Sequence, residues 1–95
     1  MSTETALFDR RPVRRPAVDF RVLDDLSSMA VDAESGDAHA LNPVASAILE
    51  RCDGTLTVRE IVDDVADIFD APPDRIAQDV VGFLDELADR GLVHR

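Results

Sequence analysis

The residues best suited to bond chemistry in this chain are Cys52, His39 and His94, set among twenty carboxylates. A nucleophilic cysteine needs a base and a polar setting that lowers its pKa. Cys52 instead continues an apolar stripe of Val44, Ala45, Ile48 and Leu49 at helical spacing, where a thiol serves as a small core residue. His39 has neither a nucleophile nor an orienting partner nearby in sequence, so it reads as a surface or packing residue rather than a general base. One cysteine and two histidines supply no ligand set for structural zinc, and one cysteine supplies no internal disulfide. A Gly-rich phosphate loop, HExxH and Gly-x-Ser-x-Gly are all missing, and the carboxylates are scattered along solvent faces. The expectation is a chain with no catalytic residue, cofactor or metal, and so not an enzyme.

Binding is the remaining chemistry, and charge limits what can be bound. All ten basic residues are Arg, against twenty acidic ones, for a net charge of −10. Residues 1–17 hold Arg10, Arg11, Arg14 and Arg15 against Glu4 and Asp9, which is +2 and leaves −12 for the other 78 residues. Such a body repels phosphates, which argues against nucleic acid as a partner. No apolar run approaches the roughly 18 residues that span a bilayer, and the first residues lack the basic-then-apolar order of a secretion signal, so the chain is expected in the cytoplasm and off the membrane. Ninety-five residues suit one domain, with roughly 60% of the unfolded surface buried.

The elements that would carry a binding surface follow from periodicity. Residues 1–17, interrupted by Pro12 and Pro16, read as a flexible arm whose arginines are either a docking tail or solvated charge. Val18, Phe20 and Val22 alternate with Asp19 and Arg21, which predicts a strand. Asp24 and Asp25 suit a tight turn, and Leu26 to Asp32 a second strand. Gly36 closes a loop before a third short strand, Asp37 to Leu41. Asn42-Pro43 then opens a helix that Asp53-Gly54 ends, and Thr57 with Glu60 forms a capping box for a second. Pro72-Pro73 stops that helix and opens a third, about Pro73 to Arg90, with Gly91 as its cap. The fold class is α+β: a three-stranded antiparallel sheet followed by three helices, in a winged-helix-like arrangement over residues 18–95.

Two features have no obvious partner. The third strand carries small side chains and neither Pro nor Lys, so at a sheet edge its backbone stays accessible to an extended peptide, unless brevity alone protects it. The third helix bears two apolar stripes, Ile76, Val80, Phe83 and Leu87 beside Ala77, Val81, Leu84 and Ala88. One can face the core and one a groove, or both can be buried.

Leu41-Asn42-Pro43, Ala45, Ile48, Leu49, Cys52-Asp53-Gly54, Thr57-Val58, Glu60-Ile61-Val62, Phe69-Asp70, Pro73, Asp79-Val80, Phe83-Leu84, Leu87 and Arg90-Gly91-Leu92-Val93 stand in an order that resembles the coenzyme PQQ synthesis protein D (PqqD) family. The resemblance covers roughly Val18 to Val93. It implies a recognition element for ribosomally made, post-translationally modified peptides (RiPPs), a peptide chaperone without bond chemistry. The leader of a precursor peptide would add as a strand beside the third strand, in a cleft against the third helix. The peptide-binding residues so implied are Asp37, Ala38, His39, Ala40 and Leu41, with Val80, Phe83 and Leu87 touching leader side chains. The implied enzyme partners are a radical SAM enzyme, a lasso-peptide protease or cyclase, or another tailoring enzyme. Family members often carry aromatic or basic residues where this chain has Asp37 and Ala38, which implies either a different leader preference or weaker binding, and the acidic body favours a leader with basic residues.

Two other classes fit less well. A winged-helix transcription regulator needs a basic recognition helix, whereas the candidate helices hold Asp63, Asp64, Asp67, Asp79, Asp85 and Glu86. An acidic carrier protein needs Asp-Ser-Leu at a helix start, and Asp25-Leu26-Ser27 has the wrong order.

Overall fold

The structure is a computed structural model that describes residues 7–94. Strand β1 (Val13–Arg14) precedes a meander of β2 (Val18–Val22), β3 (Ser28–Asp32) and β4 (Ala38–Leu41). Helices α1 (Pro43–Glu50), α2 (Val58–Ile68) and α3 (Pro73–Asp89) follow, and β5 (Val93–His94) ends the order. The meander is an antiparallel sheet with β3 central, and β1 pairs antiparallel with β5 in a separate two-stranded sheet.

Helix starts are fixed by local chemistry. Asn42 Oδ1 accepts from the Ala45 N–H at 2.8 Å, with Pro43 at the first turn. Thr57 Oγ1 accepts from the Glu60 N–H at 3.1 Å while Glu60 Oε1 accepts from the Thr57 N–H at 3.0 Å, the reciprocal pair of a capping box. Gly91, at φ +74°, turns the chain out of α3 so that Leu92 and Val93 fold back into the core. That core is aliphatic: Ile48, Leu49, Ile61, Val65, Val80, Leu84 and Leu87 are its heart, shared by all three helices.

The second strand begins at Ser28 rather than Leu26, because Asp24, Asp25 and Leu26 form the hairpin loop, with Leu26 in the left-handed region at φ +70°. Its inward residues are Ser28, Ala30 and Asp32, and Met29 and Val31 face outward. Small residues in the central strand let the sheet lie close to the helices. The third strand shortens by one residue, to Ala38–Leu41, since Asp37 belongs to the turn.

The larger departure is at the start of the chain. The first six residues of the expected arm lie outside the described residues, but residues 10–15 are built into the fold. Pro12 is fully buried, and its carbonyl accepts from the Gly54 N–H at 3.1 Å. Val13 and Arg14 pair with His94 and Val93, the Arg14 N–H donates to the Cys52 carbonyl, and the Arg15 N–H donates to the Leu92 carbonyl. Nor are Arg14 and Arg15 simply solvated. Arg14 lies over the Phe20 ring, 5.4 Å from its centroid, and Arg15 donates to the Gly91 carbonyl at 3.2 Å and meets Glu34 at 3.5 Å. A cation at that carbonyl also faces the negative end of the α3 dipole. Two residues are too few to show periodicity, which is why this strand is invisible to pattern reading.

Candidate functional site

Strand β4 pairs with β3 on one side, in the register Ser28↔Leu41, Met29↔Ala40, Ala30↔His39 and Val31↔Ala38. The Asp32 N–H donates to the Asp37 carbonyl at 2.9 Å, which makes 32/37 a hydrogen-bonded pair. Because an antiparallel ladder alternates, 30/39 and 28/41 are hydrogen-bonded pairs as well, and 31/38 and 29/40 are not. His39 and Leu41 therefore spend their backbone groups on β3, while Ala38 and Ala40 direct N–H and C=O at an edge that no strand among the described residues covers. Both alanines are exposed, His39 is half-buried on the inner face, and Leu41 is in the core.

The hairpin that presents this edge is stiffened by its own side chains. Asp32 Oδ1 accepts from the N–H of Glu34 at 2.9 Å and of Ser35 at 3.4 Å, and these bonds hold its carboxyl below the ordinary carboxylate range. Asp37 donates its N–H to Ser35 Oγ at 3.2 Å, and Gly36 takes φ +79°, a conformation that costs glycine no steric clash.

On α3 the stripe expected to meet a guest divides differently. Val80 and Leu87 are 0% and 2% exposed and belong to the core, together with Ile76 and Leu84, so they line no cleft. The helix repeat of 3.6 residues explains the correction: 76, 80, 84 and 87 lie on one narrow face, and Phe83 sits at its margin. Phe83 is half-buried and borders a shallow hollow of about 210 Å³ with Gln78, Asp79, Gly82 and Glu86. The other stripe splits too, with Leu84 inside and Ala77 and Val81 lining a hollow of about 510 Å³ with Leu7, Phe8, Asp74, Gln78 and Gly82. A third hollow, about 500 Å³, lies over Asp19, Phe20, Arg21, Met29 and Val31 of the sheet. Alternation with Ser28 and Ala30 groups Met29 and Val31 on one face of their strand without saying which way it turns, and that face is the outward one. The inward parity of Leu41, carried across the register, is the signal that finds them.

Cys52 is 2% exposed, donates to the Ile48 carbonyl at 3.2 Å, and has its thiol pushed up to about 12 by burial. Among the described residues no group of three or more His, Cys, Asp or Glu could hold a metal ion, and no helix is long and apolar enough to cross a membrane.

A small α+β domain with the β4 edge open beside small side chains is a module able to accept an extended chain. The chain belongs to the coenzyme PQQ synthesis protein D (PqqD) family, whose sequence pattern matches residues 28–93. It is 39% identical over 56 residues to a PqqA binding protein of Rhizobium meliloti (strain 1021), and 39% over 54 residues to one of Rhodopseudomonas palustris (strain BisB5). These stretches are 59% and 57% of this chain, and 57% and 53% of the relatives, so the match spans little more than half their length. Among solved structures, the PqqD truncation of Methylobacterium extorquens PqqCD, described as a functional and stand-alone RiPP recognition element, has a TM-score of 0.72 at 26% identity, covering 88% of each chain. TbiB1 in complex with the TbiA(beta) leader peptide has a TM-score of 0.76 at 23% identity, over 86% of this chain and 94% of the other, and shares the fold.

Proposed function

We propose that this chain binds the leader of a ribosomally made precursor peptide by strand addition to β4 and presents it to a separate modifying enzyme, acting in the cytoplasm without bond chemistry of its own. The observation that carries this reading is the free edge of β4, where the Ala38 and Ala40 backbone groups face outward without competition from bulky side chains. Relatives named as PqqA binding proteins, and a like-folded neighbour bound to a leader peptide, support it.

A leader strand would exchange N–H and C=O bonds with Ala38 and Ala40, and its alternate side chains would reach Phe83 at the margin of α3. Asp37, His39 and Leu41 then act by shaping the edge rather than by bonding the guest. Holding the leader while touching the enzyme turns delivery into an intramolecular event, with effective concentrations of roughly millimolar for short flexible tethers. A radical SAM enzyme and a lasso-peptide protease are the partner classes that suit the family. The test is a titration of isotope-labelled protein with synthetic leader peptides of the PqqA and lasso kinds, followed by backbone amide shifts. Shifts centred on Ala38 to Leu41 and on Phe83 are expected. Shifts confined to residues 7–17, or none with any leader, overturn the reading.

A further inference from the structure

The β2–β3 hairpin ends in a knob that the fold itself does not use. The Leu26 N–H donates to the Leu23 carbonyl at 3.0 Å, and the Leu23 N–H donates to the Ser27 carbonyl at 2.7 Å, closing a three-residue loop of Asp24, Asp25 and Leu26. Asp25 Oδ1 locks it by accepting from both the N–H and the hydroxyl of Ser27. The loop is therefore rigid, yet its third position, where such loops favour glycine, holds Leu26 at φ +70°. A branched side chain in the left-handed region carries a steric penalty that packing ordinarily offsets. Among the described residues little packing offsets it: Leu26 is 61% exposed, and its neighbours Val22 and Leu23 are 45% and 43% exposed.

We infer that Leu23 and Leu26, with Val22 exposed beside them on the opposite face of the hairpin, form a docking knob for the peptide-modifying enzyme, seated in an apolar recess rimmed by Arg or Lys that faces Asp24 and Asp25. This deepens the proposed function and rests on it. Charge selects the occupant. A second copy would set Asp24 and Asp25 against their like on a chain of net charge −10, whereas a basic rim is complementary. Position selects it too. Ser28, which follows the loop, pairs with Leu41, so the knob stands at the α1 end of the same sheet whose β4 edge is open. Two strand spacings, roughly 10 Å, separate the β2 margin from the β4 margin, so an enzyme gripping the knob lies close to a guest strand.

The test uses the full chain, the modifying enzyme encoded nearest to it, and the leader of the precursor encoded alongside. Enzyme affinity, leader affinity and mass in solution are measured separately for the native chain and for Leu23→Ser/Leu26→Gly. The expected result is enzyme affinity down at least tenfold, leader affinity unchanged within twofold, and a monomer throughout. Leu26→Gly alone raises the unfolding midpoint by roughly 2–4 °C, since the strain disappears and no packing is lost. Asp24→Arg slows enzyme association severalfold at low salt and much less at high salt. Undiminished enzyme affinity in the double variant, a native chain that fails to bind the enzyme, leader affinity lost in parallel, or a native dimer that the variant splits would each overturn the knob. A native chain that binds the enzyme but no leader would overturn the strand-addition reading alone.

Discussion

Strands β1 and β4 are both short and both lie at a sheet margin, yet one is closed on every side and the other is open. β1 pairs with β5 on one flank, and on the other Val13 bridges to Asp53 while the Arg14 N–H reaches the Cys52 carbonyl. β4 spends half of its backbone on β3 and leaves Ala38 and Ala40 facing out. A short strand is thus no measure of a loose one. What separates a structural strand from a receptive one is where its second set of hydrogen-bonding groups goes.

The sharpest way to break this contrast is to damage the closed side. Leu87→Ala, on the buried face of α3, should cost about 2–5 kcal/mol in denaturant unfolding, as for a core leucine, whereas Phe83→Ala should leave most of the stability and weaken leader binding instead. The reverse pattern would restore Leu87 to the binding face. Placing the same residue in both strands comes next. Arg14→Pro removes the N–H that satisfies the Cys52 carbonyl and should cost about 1–3 kcal/mol. Ala40→Pro removes only an outward N–H, so stability should change by less than about 1 kcal/mol while leader affinity falls roughly tenfold or more. Equal stability losses for the two prolines would mean that β4 is not open. The smallest effect is acid sensitivity. Hydrogen bonds hold Glu60 below its ordinary 4.5 and Asp25, Asp32 and Asp53 below 3.8. Their stabilisation is complete above those values and fades as pH falls beneath them through the folded-state pKa values. A midpoint that holds steady from pH 7 to 5 and then drops is the expected profile, and Thr57→Ala should flatten part of the drop.

Most of the architecture was legible in the sequence because its signals are local. Val18–Val22 follows from alternation, α1 from Asn42-Pro43, α2 from the Thr57/Glu60 box and the end of α3 from Gly91. β1 was not legible, since its partners lie some eighty residues away and two residues carry no period. The stripe on α3 was half legible: both candidate faces were apolar, and only packing shows that Leu84 joins Ile76, Val80 and Leu87 while Phe83 stays at the rim. For the strand edge, sequence located the segment but not the parity. Which of Ala38 to Leu41 turns its backbone outward depends on the Asp32–Asp37 bond, which no pattern of side chains records.

The antiparallel match of β1 to β5 has one more result. It sets Val13 beside His94, one strand spacing of roughly 5 Å away, so the first strand and the last fasten one corner of the body together. A clasp of this kind ties the segment ahead of the meander to the segment behind α3, so neither can lift away without breaking the other's backbone bonds. The receptive margin belongs to the other sheet and takes no part in that fastening.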